Sequence, residues 1–194
     1  LDMLILIVGL AIFFAVHSVR LFVPDWRKMA VTKAGLMSWR VRFSMLSLLS
    51  IGFIFMGYGQ ARLAPVWLWF PPVFMPHVTS LIMLVALFFF CSALVPKTTL
   101  RRVTGYPLYL SVKLWAFAHL LSNGNLADVL LFGSFLIWAI VSFAVFRRRD
   151  RNEGVTPEES NIRFDLIAFG FTLVSWFAIV LFFHKAVIGV SPLV

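Results

Sequence analysis

The apolar runs decide what this chain can fold into. Six segments approach or reach the roughly 20 apolar residues that an α-helix needs to cross a bilayer. They cover residues 3–23, 43–59, 77–95, 107–121, 126–146 and 166–187. Little chain is left over for a soluble domain. With 61% hydrophobic and 13% charged residues, the composition lies far from that of a soluble domain. The sequence therefore predicts an all-α membrane protein, a single transmembrane domain over 1–194 built as a bundle of six helices. The first run lacks a basic leader and a small-residue cleavage motif, so it reads as a retained span.

Breakers agree with that division. Pro24 follows the first run, and Pro65, Pro71, Pro72 and Pro76 precede the third. Pro96 closes the third, and Pro107 suits the first position of the fourth helix. The short Ser122–Asn125 turn predicts that the fourth and fifth helices form an antiparallel hairpin.

The net charge of +9 belongs to topology. Arg20, Arg27, Lys28, Lys33, Arg40 and Arg42 follow the first run. Lys97, Arg101 and Arg102 follow the third, and Arg147, Arg148, Arg149, Arg151 and Arg163 follow the fifth. The even-numbered links carry only Arg62. The positive-inside rule then puts the odd links in the cytoplasm and both termini on the non-cytoplasmic side. The bases are expected to meet anionic lipid, not nucleic acid. The segment from Arg147 to Ser160 reads as a solvated loop.

Chemistry is sparse. No acidic residue falls at the centre of a run, which argues against an intramembrane carboxylate relay or paired-carboxylate hydrolysis. There is no phosphate-binding glycine loop and no nucleophile elbow. The lone Cys91 excludes an internal disulfide and reads as a buried thiol. His77 and His184 fall near run ends, where an imidazole stays hydrated. His17 and His119 lie inside runs, where a polar ring needs a partner. Two readings stand for them: a hydrogen-bonded packing residue, or a metal ligand through a neutral imidazole nitrogen. Arg20, three residues after His17, and Lys113, six before His119, are candidates to meet an anionic group or to snorkel. Phe13, Phe14 and Trp115 are candidate pocket walls. Ala15 and Ala116 are small enough for close approach.

The stretches HSVRLFVPDWR (17–27), MGYGQAR (56–62), FPPVFMPH (70–77), KLWAFAHLLSNGNLADVLLFGSFLIWA (113–139) and HKAVIGVSPL (184–193) resemble the NnrU family of bacterial inner-membrane proteins, relatives of the plant plastid 15-cis-zeta-carotene isomerase. That resemblance implies a link to denitrification. From the plant relative it implies haem b held by two axial histidines, matching His17 and His119. It also implies a hydrophobic polyene as substrate in an isomerase-like activity. Two positions depart from the pattern. Tyr106 stands where many relatives carry histidine, and Ala116 stands where the plant enzyme has a cysteine able to ligate iron. The alternative reading is a non-catalytic accessory subunit of a larger membrane complex, respiratory or photosynthetic.

Overall fold

The computed structural model describes residues 2–193. The chain is 80% helical, and among the described residues no strand forms. Among the described residues nine helices follow in order: α1 Asp2–His17, α2 Val19–Phe22, α3 Pro24–Ala34, α4 Leu36–Ala61, α5 Met75–Leu94, α6 Thr99–Thr104, α7 Pro107–Ser122, α8 Leu126–Glu153 and α9 Ile162–Ile188. Two contain a π-helical turn, Val129–Gly133 in α8 and Ile179–Phe183 in α9.

Every predicted run is helical, with adjusted ends. Helices α4, α5, α8 and α9 are long and apolar enough to cross a membrane. Helices α1 and α7 have 16 residues each, about 24 Å at 1.5 Å per residue, against a hydrocarbon core of about 30 Å. The first run is not one helix. It breaks at Ser18, and Val23 takes an extended φ of −132° because Pro24 disfavours helical backbone before it. The basic link that follows is not a loop either: Pro24 opens α3, and Gly35 at φ 83° separates α3 from α4. Likewise Arg147–Glu153 continues α8 instead of forming a loop, and the helix stops at Gly154, φ 64°.

The chain divides into two compact units. The first runs to Leu68 and adds Asn125–Ser134; the second holds Trp69–Gly124 and everything from Phe135 on. In the first unit, α1 packs antiparallel on α4. The approach is close because both helices present glycine. A Cβ on Gly9 would lie 2.8 Å from the Ile54 nitrogen, and one on Gly57 would fall on the Leu6 backbone. Buried Leu6 and Leu10 fill the remaining seam.

The start of α8 is fastened within the same unit. Asn125 and Asp128 form a capping box: Asn125 accepts from the Asp128 N–H at 3.0 Å, and Asp128 accepts from the Asn125 N–H at 3.2 Å. The Tyr58 hydroxyl donates to Asp128 Oδ1 at 2.6 Å, and the Arg62 guanidinium lies 5.7 Å from the Tyr58 ring centre. Asp128 is only 1% exposed, so its carboxylate depends on these donors. Tyr58→Phe is expected to destabilise the protein by about 1–3 kcal/mol by leaving a buried acceptor unpaired. Thermal unfolding in detergent checks this, and an unchanged midpoint would refute it.

In the second unit α5 packs against both α7 and α9. The Thr79 hydroxyl donates to the Ala118 carbonyl at 2.9 Å and pairs with the Ser122 hydroxyl. The Trp176 indole N–H donates to the Ser80 carbonyl at 3.0 Å. Helix α7 runs antiparallel to the later part of α8, as the short turn predicts. Trp115 meets Phe135 at 5.4 Å, and Tyr109 meets Phe146 at 5.6 Å. The turn is tight: a Cβ on Gly124 would strike the Trp69 carbonyl oxygen, and the Trp69 N–H donates to the Gly124 carbonyl at 3.2 Å. Tyr106 donates to Asp150 Oδ1 at 2.8 Å, which holds the far end of the hairpin.

Candidate ligand-binding cavity

Three helical stripes in the second unit enclose a cavity of about 560 Å³. From α5 come Pro76, Thr79, Ser80, Met83, Leu87 and Phe90, spaced as one helical face. From α7 come Ser111, Trp115, His119 and Ser122. From α9 come Trp176, Val180 and His184. Its size lies within the roughly 300–1,000 Å³ typical of small-molecule and cofactor sites. Among the described residues no acidic residue, lysine or arginine lines it.

The His119 ring is tethered to its own helix. Its Nδ1 lies 2.8 Å from the Trp115 carbonyl oxygen. A carbonyl only accepts, so Nδ1 carries the proton and Nε2 carries the lone pair. Such a backbone tether fixes the ring and raises its basicity as a ligand. The Asn123 amide donates to the His119 carbonyl at 2.8 Å and closes the end of α7.

His184 is tethered in a similar way: its Nδ1 lies 2.6 Å from the Val190 carbonyl. Gly189, at φ 81°, turns the chain back so that this carbonyl returns to the ring. Ser80 adds a third polar group. It is 5% exposed, and its Oγ has no hydrogen-bond partner among the described residues. Thr79→Val is expected to cost about 1 kcal/mol by breaking the α5–α7 link at the cavity rim. The check is the unfolding midpoint of the variant against wild type.

The sequence candidates distribute as follows. Trp115 and His119 line the cavity together. Lys113 does not; its ammonium lies 4.1 Å from the Phe143 ring centre. Ala116 is fully buried in packing, and Cys91 is buried as expected. His17 and Arg20 belong to the first unit. The His17 Nδ1 donates to the Phe13 carbonyl at 2.8 Å, and its ring stacks on Phe13 at 3.9 Å. Phe43 approaches it at 5.0 Å, while Phe14 packs edge-on to Phe13. Arg20 is exposed on α2, beyond the break at Ser18. His77 is exposed at the start of α5.

No cluster of three or more histidine, cysteine or acidic side chains forms among the described residues. Imidazoles in ones and twos suit a metal whose remaining ligands come from a macrocycle. The donor set and the apolar volume thus fit haem.

The profile of the family described as NnrU protein matches residues 5–192. The chain belongs to the NnrU family. No curated protein and no solved structure matches it. Within this NnrU chain the cavity joins Trp115 and His119, from the 113–139 block, to His184, from the C-terminal block. Sequence reasoning passed over Ser80 and left His184 at a hydrated helix end. Only the spacing of Trp176, Val180 and His184 at four-residue steps hinted at a shared face.

Proposed function

We propose that this NnrU protein is a multi-pass haem-b protein of a bacterial inner membrane. Its six long helices cross the bilayer with both termini outside the cytoplasm. The short α1 and α7 are accommodated by local thinning. His119 would hold the haem iron through its Nε2 nitrogen. One observation carries this reading: a neutral imidazole with its Nδ1 proton tied to the Trp115 carbonyl lines an apolar cavity of cofactor size.

The chain's own residues divide the work. His119 offers its Nε2 lone pair, and the Trp115 carbonyl orients the ring. The apolar stripes of α5 and α9 exclude water, and the Ser80 hydroxyl offers a proton to a polar atom of the bound group. Haem, when bound, would supply one-electron redox chemistry. A denitrification-linked redox role agrees better with these residues than polyene isomerisation, because Ala116 offers no donor where the plant relative has cysteine.

The test is the absorption spectrum of purified protein from haem-replete cells, oxidised and dithionite-reduced, with a pyridine haemochrome assay. A sharp reduced α-band of haem b at about one haem per chain is expected. Folded, monodisperse, colourless protein would refute the proposal.

A second reading, an accessory subunit of a larger membrane complex, is favoured by the segment before α5, where Phe70 and Val73 are 77% and 97% exposed. Stable co-purification with such a complex from native membranes would support it.

A further inference from the structure

We infer that Lys97, Arg101, Arg102 and Arg147 hold the phosphate of an anionic phospholipid at one end of the second unit. The site shares no residue with the His119 cavity and does not depend on haem.

The four bases converge on a cavity of about 210 Å³. That is below the roughly 300–1,000 Å³ of small-molecule sites and suits a headgroup more than a whole lipid. The cations come from three places. Lys97 follows α5, Arg101 and Arg102 lie on α6, and Arg147 lies on α8 where its apolar part ends. None of the four has an ion-pair partner among the described residues. Arg101 donates to the Ala93 carbonyl at 3.3 Å and Arg102 to the Ser160 hydroxyl at 3.4 Å, both neutral acceptors. A guanidinium has five N–H donors, so most remain for a phosphate, which it grips through two parallel bonds. Asp150, Glu158 and Glu159 also line the cavity. The Tyr106 hydroxyl engages Asp150 at 2.8 Å, and the two glutamates are exposed, where water and salt screen them.

The backbone gives a second reason. Lys97 has φ 56°, the only positive value at a non-glycine residue among the described residues. Its carbonyl accepts from the Asn161 N–H at 2.9 Å, which fixes the turn. Glycine would make that turn without strain, whereas lysine keeps a cation on the cavity. Strain of this kind gathers at ligand clamps. Gly105, at φ 72°, ends α6 beside the same cavity, and a Cβ on it would lie 3.2 Å from an Arg147 guanidinium nitrogen. Without that Cβ the guanidinium lies against the turn.

Position favours a lipid phosphate over a dissolved one. Thr99 donates to Asp165 through its N–H and hydroxyl, at 2.8 and 2.7 Å, and so holds the start of α9 to α6. Leu94 at the end of α5 and Ile162 and Leu166 at the start of α9 are all exposed, apolar surface for acyl chains at the same helix ends. Basic pockets between membrane helices on the cytoplasmic side bind anionic headgroups.

Native mass spectrometry of the full-length protein in detergent tests the site, with phosphatidylglycerol, phosphatidylcholine and inorganic phosphate as probes. Phosphatidylglycerol should bind saturably, and the other two at least ~10-fold more weakly. Lys97→Gly relieves the turn and should stay folded. It and Arg147→Gln should each weaken phosphatidylglycerol binding at least ~10-fold, the effect of one charge-assisted hydrogen bond. Arg148→Gln removes the same charge from an exposed position outside the cavity and should change binding less than ~3-fold. Equal weakening by Arg147→Gln and Arg148→Gln would reveal a diffuse charged surface and overturn the site. So would full affinity in both Lys97→Gly and Arg147→Gln, or wild type that takes up no phosphatidylglycerol. Inorganic phosphate binding as tightly as the lipid would overturn the lipid assignment in favour of a soluble phosphate compound. Haem content has no part in these readouts, so this site and the haem reading fail separately.

Discussion

Replacing His119 by asparagine is expected to empty the protein of haem while leaving its fold intact. The asparagine amide can still donate to the Trp115 carbonyl, as Nδ1 does at 2.8 Å in the native chain. What it cannot supply is the second ring nitrogen. The variant should therefore unfold within about 1 kcal/mol of wild type. Its haem-to-protein ratio should drop at least ~10-fold, judged against the loss that even an outer-shell ligand change produces. His119→Ala loses the tether as well and should be both haem-free and less stable. Haem content by pyridine haemochrome, read beside thermal unfolding, separates these effects. An asparagine variant that keeps stoichiometric haem and the native spectrum would show that His119 is a packing residue.

The largest effect on stability is expected at Gly57. Its added Cβ would fall on the Leu6 nitrogen, 2.7 Å from the Leu6 Cα and 2.9 Å from the Ile5 carbonyl carbon. These are backbone atoms of a packed helix and cannot swing aside. Gly57→Ala should destabilise the first unit by about 1–3 kcal/mol as overpacking. Gly52 lies on the same helix, and its Cβ would meet nothing within 4 Å. Gly52→Ala should be neutral or stabilising, by up to about 1 kcal/mol, from helix propensity alone. Thermal unfolding should show a lowered midpoint for Gly57→Ala alone, and equal shifts would contradict the packing argument.

Hydrophobic length made the six longest helices legible, because a run of apolar residues is a local property. Proline made several of their starts legible for the same reason, Pro107 at the head of α7 among them. Less was visible where bases dominate. The residues of α3 lack an apolar stripe, and none of them is buried, so nothing in their pattern separates a surface helix from a loop. The hairpin was readable from Ser122–Asn125, but the Tyr58–Asp128 bond joins residues 70 apart and has no sequence signature. His119 stood out because it interrupts an apolar run. His184 did not, since it lies beside Lys185 near the end of its run, where an imidazole reads as hydrated. Ser80 looks like any helix serine until its neighbours leave the hydroxyl unpaired.

Helix α3 has a mechanical consequence. It exposes Lys28 paired with Asp25 at 3.0 Å, and it brings Trp26 within 5.9 Å of Trp39 on α4, with the Arg27 guanidinium 5.7 Å from the Trp39 ring. Tryptophan and arginine side by side favour the headgroup layer. Lying at a bilayer surface, such a helix would work as a float, holding one end of α4 at a fixed depth. With that end pinned, a change in bilayer thickness would be met by tilt of the 26-residue α4, not by sinking of its anchored end.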